Sequence, residues 1–530
     1  MSKDRTYDYV IVGAGSAGCV LAGRLSEDPG IRVALVESGP RDRRSEIRIP
    51  AAFPKLFRTE YDWDYATSPQ PALDSRELYW PRGHTLGGSS SINAMMWVRG
   101  HRDDYDTWGE TAGEEWGYER FEPFFRRAER WHGPAREDSV HGRLGPLHIS
   151  PPRDPNPTTA AFLDACRAQG LRELGELNRP DHAGFAITPL NQYRGRRWSA
   201  ADGYLRPAAR RPNLDVYTGA RVTRIDFDGV RAAGVVADGI APGVLRAARE
   251  VILAAGAIGS PHLLQQAGIG DPKALADAGI ETRVASPEVG GNLQDHLSYA
   301  VTVRTPRPVS LTGADTPANI ARFLLRGRGP LTSNIGEAVA FVATRPEPTA
   351  PDIELVYAPV PFVEHGLTPP AEHGITVGVV LLQPRSRGRI TPTGAGAAAP
   401  PRIDPGYLAD GEDLRTLVAG VRRAEELLAD PALRPLRGAP MGGYPGVVDD
   451  EALTAAIRAG AETLYHPVGT CRMGADPDAV TDPRLRVRGA ESLRVVDASV
   501  MPRITRGHTH APTVALAERA VELIREDARP

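Results

Sequence analysis

Lysine, cysteine, surplus charge of either sign and long apolar runs are all scarce in this 530-residue chain. Lys3, Lys55 and Lys273 are the only lysines, so arginine carries nearly all of the 63 basic charges, set against 66 acidic ones for a net charge of -3. A balance so near zero gives no long-range field for nucleic acid or an anionic membrane, and a small molecule is the expected partner. Cys19, Cys166 and Cys471 are odd in number and far apart. They exclude a disulfide framework and suit a reducing, cytoplasmic compartment. No run of about 18 apolar residues occurs, so no transmembrane helix is expected. The opening MSKDRTYDYVIVGAG reaches strand residues at once, so no secretory leader is expected either. The histidines fall at no metal-ligand spacing, and no metal is expected.

What is present is enough chain for two lobes, since single cores stop growing near ~250–300 residues. Residues 7–12, YDYVIV, form a β-branched run that ends in glycines. Residues 16–26 follow with Ala17, Val20, Leu21 and Leu25 at helical spacing, and RVALVES reads as a second strand. Strand, glycine turn, helix and strand in that order predict a βαβ unit and a parallel sheet. Segments 214–227, 231–237 and 249–254 resume that sheet. Between about 300 and 400, alternation of apolar and polar residues predicts a mainly antiparallel second lobe. The stretch AGAGAAAPPR at 394–402 reads as a surface loop without chemistry.

The glycine turn is GAGSAG. Gly13 permits the tight turn, Gly15 lets a pyrophosphate approach the backbone, and Gly18 allows close packing of the helix that Ser16 and Ala17 open. The helix N-terminus offers free N–H groups to phosphates, and Glu37 ends the next strand, where it can accept bonds from an adenosine ribose. This pattern predicts a dinucleotide site and leaves nicotinamide and flavin open. A second glycine cluster, RGHTLGGSSSINAMMWVRG, places Gly87, Gly88 and Ser89 in a loop dense in donors.

GHTLGGSSSIN and GAIGSPHLLQQAGIG resemble the two signatures of the glucose–methanol–choline family of FAD oxidoreductases. VGGNLQDH, YHPVGTCRMG and VVDASVMP resemble further family segments in the usual order, so the likeness covers residues 7 to about 526. His84 and Ala267 depart from the usual residues of the two signatures. The resemblance implies an α/β plus α+β fold: a Rossmann-type FAD-binding domain from 1–155, 214–300 and 466–530, and a substrate domain with a mainly antiparallel sheet from 156–213 and 301–465.

The resemblance also implies roles. His466 is the family's base, taking the hydroxyl proton as hydride goes to the flavin, a task that suits an imidazole without a large pKa shift. By its place before APT, His510 maps onto the second residue that holds the substrate oxygen, and His508 is left a structural or flavin-lining role. Asn93 lies in the flavin loop, Asp497 near the ribityl–phosphate region and Val222 where a backbone meets the adenine. Pro512 and Thr513 open a helix whose positive end faces the flavin. Ile92 stands where some members carry a histidine that attaches FAD covalently, so the FAD is expected to be non-covalent. His84, His262 and His296 are expected to pack or to bond backbone. Trp97, Tyr357, Phe362 and Tyr465 are candidates for the substrate pocket, and Glu337, Phe341, Tyr357 and Phe362 for a choline cage. The pair of histidines resembles the aryl-alcohol and glucose oxidase branches more than the choline enzymes and points to a primary aromatic or furanic alcohol, with O2 reoxidising the flavin to give H2O2. A choline or aliphatic-alcohol dehydrogenase with a quinone-type acceptor is the alternative, and a FAD-containing hydroxynitrile lyase is the alternative of another class.

Overall fold

The computed structural model describes residues 5–240, 243–346 and 350–529. Strand Arg5–Val12, helix Ser16–Leu25 and strand Val33–Glu37 follow in order, and the two strands pair in parallel with Val10 opposite Ala34. Their β-branched residues are buried on both faces, as central parallel strands require. Leu214–Thr218 pairs in parallel with Val33–Glu37, and Val244–Leu253 with Arg5–Val12. The antiparallel strands Arg231–Asp238 and Arg221–Asp228 extend this sheet, and the late strand Leu493–Val495 joins Val244–Leu253 in parallel. The stretch 214–227, which reads as one β segment, is two strands because Gly219 takes φ +66° and turns the chain between them.

The second sheet is antiparallel throughout. Its order is Pro440–Met441, Leu297–Arg304, Gly374–Leu381, Ile353–Ala358, Ala338–Val342 and Gly184–Ile187, with Glu462–Thr463 also on Leu297–Arg304. Helix Gly411–Ala429 packs on this sheet at Gly420, where a Cβ would stand 2.7 Å from Val379 Cγ1. The two-residue period of a strand divides Ile353–Ala358. Val356 and Ala358 line a cavity, while Leu355 and Tyr357 enter the core shared with Leu417 and Val421 of the helix. The cavity lies between the two sheets, and elements from both ends of the chain meet around it. Among the described residues no helix is long and apolar enough to cross a membrane.

Candidate active site

At the first glycine turn, Gly13 has φ +99°, and a Cβ on Gly18 would fall 1.8 Å from the Gly13 carbonyl oxygen. Gly15 opens to the cavity: a Cβ there would meet Ala254 O at 3.9 Å and no closer atom beyond the turn. The Glu37 carboxylate accepts from Ala14 N and Gly39 N, both at 2.8 Å, and burial pushes its pKa up. Glu37 therefore holds the turn as well as lining the cavity, together with Ser16, Ala17 and Val222.

The second loop presses onto the first: Gly88 has φ +52°, and a Cβ on it would lie 2.7 Å from Gly15 Cα. The Ser90 and Ser91 hydroxyls donate to the carbonyls of Gly87 and Leu86, and Ser89, Ser90 and Asn93 line the cavity wall. Arg197 fixes Asn93, donating to its Oδ1 at 2.7 Å and its carbonyl at 2.6 Å, and also to the carbonyls of Ile47 and Ser90. Arg197 is fully buried, and burial, only partly offset by Asp202, pushes its pKa down to about 9. Asp497, also on the wall, accepts from Ser260 Oγ at 2.6 Å, Gly256 N at 2.9 Å and Ser499 N at 2.8 Å. It joins the start of helix Gly256–Gln266 to the turn after the late strand.

The cavity measures about 1240 Å³, above the ~300–1,000 Å³ of sites for one drug-sized ligand. It runs from Glu37 past the two glycine loops to His466 and His508, beneath Phe53, Phe57, Ile335, Val356 and Phe362. His510 opens the C-terminal helix on this wall. Its Nδ1 meets Ser16 Oγ at 2.9 Å, while its Nε2 is buried with no protein partner. A cradle of glycines, an acidic residue and an orphaned ring nitrogen facing one elongated cavity fit a dinucleotide flavin.

Three histidines meet at the far end. His466 Nδ1 lies 2.9 Å from His296 Nδ1, and the His508 ring stands edge-on to His466 with centroids 4.8 Å apart. His296 Nε2 donates to the Leu382 carbonyl at 3.1 Å, and His508 Nε2 donates to the buried Glu354 carboxylate at 3.0 Å. Burial, with His508, His296 and Arg82 nearby, holds His466 well below the usual imidazole range. Burial and His508 hold His296 at about 3. The turn that presents His466 is clamped by Asp295, which accepts from His466 N at 2.7 Å, from Thr463 Oγ1 at 2.6 Å and from the Tyr407 hydroxyl. Tyr465, just before the histidine, is held at φ +69°, a costly conformation for a large side chain, and its hydroxyl meets His365 Nδ1 at 2.7 Å.

The structure redistributes several of the predicted residues. The ring beside His466 is His508, not His510; motif spacing places both on one short turn, but only His508 points toward the base. Trp97 is buried behind His510, its Nε1 donating to Glu129 at 2.7 Å, and does not reach the cavity. Tyr357 is stacked on Phe162 in the core under the helix, because its strand parity turns it away. Glu337 is taken up by Ser333, Thr159 and Asn156, and Phe341 is buried against His182, so neither forms a cage. Phe362 and Tyr465 do line the wall. Pro512 is buried in the first turn of its helix, beside Thr513 on the wall. Gly87 shapes its loop from behind, where a Cβ would strike Ser91 Oγ. In the 394–402 loop, Ala397, Ala398, Pro400 and Pro401 contribute to the wall, contrary to its reading as inert surface. His296 bonds a backbone carbonyl as expected, but its contact with His466, and the roles of Asp295 and Glu354, escape sequence reasoning.

Models of the GMC oxidoreductase family match residues 7–298 and 384–517. The chain belongs to the GMC oxidoreductase family. This GMC oxidoreductase is 50% identical over 531 residues to an uncharacterised GMC-type oxidoreductase of Mycobacterium tuberculosis, covering 98% of this chain and 100% of that one. It is 40% identical over 528 residues to an alcohol dehydrogenase [acceptor] of Pseudomonas putida, covering 98% and 95%. Among solved structures it resembles pyridoxine 4-oxidase from Mesorbium loti, with a TM-score of 0.90 and 34% identity over 98% and 99% of the two chains. The Rossmann-type sheet joined to an antiparallel sheet is the family's fold, and the family is FAD-dependent.

Proposed function

We propose that this GMC oxidoreductase oxidises a primary alcohol with an aromatic or furanic body to the aldehyde, using non-covalently held FAD. The observation that carries the reading is the contact of His466 with both His296 and His508 at the end of an apolar-walled cavity continuous with the dinucleotide cradle. FAD, when bound, supplies the acceptor for the hydride. The GAGSAG turn, Glu37, Ser89, Asn93, Val222, Asp497, His510 and Thr513 are the residues that would hold it. Ile92 at the attachment position of other members supports a dissociable cofactor.

The proton chemistry follows from donors and acceptors. His296 spends its Nε2 hydrogen on the Leu382 carbonyl, so its Nδ1 is a lone pair. That lone pair faces His466 Nδ1, which therefore carries the hydrogen and leaves His466 Nε2 bare toward the cavity. Both rings are neutral near pH 7, since both are held below the imidazole range. His466 Nε2 takes the hydroxyl proton as the α-hydride departs, while His508, fixed by Glu354, stands edge-on to His466 and lines this end of the cavity.

The wall supports a neutral ring. Phe53, Phe57, Phe362 and Tyr465 form a connected aromatic cluster with centroid spacings of 5.9–6.2 Å. Of the wall carboxylates, Glu462 is paired with Arg76 and Asp64 with Arg58, and Glu364 sits exposed at the rim, an arrangement that favours a neutral ring over a quaternary ammonium. Pyridoxine, named for the solved relative, is itself a ring-borne primary alcohol.

An anaerobic stopped-flow panel of benzylic, furanic, aliphatic and choline substrates tests this. Loss of the oxidised-flavin absorbance with ring-borne alcohols is expected, and persistent yellow colour with cyanide release from a cyanohydrin would overturn it. Mixing the reduced enzyme with O2 or a quinone then reads out the acceptor. His508→Ala should slow reduction by about 100-fold or more, whereas His510→Ala should act mainly on flavin affinity.

A further inference from the structure

Three of the six large apolar side chains that stand exposed among the described residues sit on one helix, Pro317–Arg326. Ile320 is 41%, Leu324 59% and Leu325 83% exposed, and Phe323 is the one buried residue of the helix. Positions 320, 321, 324 and 325 share one side of a helix, so with Ala321 they form a continuous apolar ridge. A fold gains nothing by presenting such a ridge to water.

The ridge is flanked by cations. Arg322, Arg326 and Arg328 belong to the helix and the turn after it, and the Arg196 guanidinium lies 5.8 Å from the centre of the Phe323 ring. Lys55 faces Asp315 just before the helix. Asp154, 2.9 Å from Arg328, and Asp315 are the two carboxylates paired within this group. Five cations against two carboxylates make a basic patch on a chain whose net charge is -3, a local excess that the whole-chain sum conceals.

Apolar ridge and cationic flank together describe an interfacial helix. A second copy of this chain fits poorly, because a two-fold contact would set the five cations against themselves. The leucines protrude on a ridge instead of lining a groove, which suits penetration of a soft surface. We propose that helix Pro317–Arg326 docks the protein on an anionic lipid surface, with Ile320, Leu324 and Leu325 entering the acyl boundary and the arginines meeting lipid phosphates. The turn Pro330–Thr332 packs on both this helix and the segment Pro50–Leu56, whose Phe53 lines the cavity. Docking thus holds one wall of the active site at the bilayer surface, where lipid-soluble alcohols and quinones dissolve. The inference stands apart from the reaction proposed above, because it concerns where the holoenzyme sits.

Co-sedimentation of the holoenzyme with vesicles of phosphatidylcholine, alone or mixed with phosphatidylglycerol, tests it. Binding to the mixed vesicles is expected, weakening with salt. Leu324→Ser/Leu325→Ser should lower it about tenfold or more. Arg322→Gln/Arg326→Gln should remove the preference for phosphatidylglycerol, with alcohol-driven flavin reduction unchanged in both variants. Absence of sedimentation with either vesicle overturns the proposal. So does a lipid-free dimer that the leucine variant converts to monomer, which would assign the ridge to a second copy.

Discussion

If His296 sets the tautomer of His466, then replacing it should damage proton abstraction while sparing the flavin site. In His296→Leu the His466 Nδ1–H loses its acceptor and is left buried and unsatisfied at a cost of about 1–3 kcal/mol. This pushes the hydrogen to Nε2, the nitrogen that must stay bare. It disfavours the productive tautomer by the same amount, or roughly 5- to 160-fold in the rate of flavin reduction. Gln at the same position can accept from His466 through its amide oxygen and donate to the Leu382 carbonyl through its amide nitrogen. His296→Gln should therefore stay within about tenfold of the parent. Anaerobic stopped-flow reduction at saturating alcohol measures the rate, and the visible flavin spectrum checks that the cofactor site is intact. Equal losses in the two variants, or a His296→Leu rate within threefold of the parent, would refute the tautomer argument.

Further outcomes follow from the same geometry. Gly88→Ala should yield protein that purifies without flavin, read from its visible-to-ultraviolet absorbance, because the new methyl would sit 2.7 Å from Gly15 Cα. Phe362→Ala should raise KM for ring-borne alcohols about tenfold, whereas Tyr357→Phe should leave KM unchanged, since Tyr357 faces the opposite core. Acid precipitation should release all flavin into the supernatant, there being an isoleucine at position 92; colour retained in the pellet would contradict this. Burial alone would raise the Glu129 pKa, but Arg99 and His141 outweigh it and hold the carboxyl far below the usual range. The stability it contributes is therefore complete above the unfolded carboxyl pKa of about 4.3 and is lost as pH falls toward the depressed folded value. Glu129→Gln should cost about 3–5 kcal/mol at pH 7 by leaving Arg99 buried without its partner, seen as a fall in Tm that narrows in acid.

The parts of the fold legible in the sequence are those fixed by local rules. The GAGSAG turn needs glycine at positive φ and at close contacts, and both constraints act within a few residues. Parity along Ile353–Ala358 was equally available, but it leaves undecided which face meets the cavity and which the helix; Tyr357 fell on the wrong side for that reason. His508 and His510 are two residues apart on a turn that leads into a helix, and backbone direction at such a junction depends on what it packs against. Ser16 and Trp97 hold His510, Glu354 holds His508, and those partners come from distant parts of the chain. Asp295 and His296 act through contacts with residues more than 150 positions away, which no periodicity can reveal.

The pairing of first and last helices also bears on how the protein is made. Helix His510–Asp527 lies along Ser16–Leu25, tied by Ser16 to His510, by Arg24 to Glu518 and by Arg525 to Glu27. The glycine turn and the helix that closes the pocket over it are therefore separated by almost the whole length of the chain, from Ser16 to His510. Contacts of such long sequence separation form late, so a closed flavin pocket belongs to the last stages of folding.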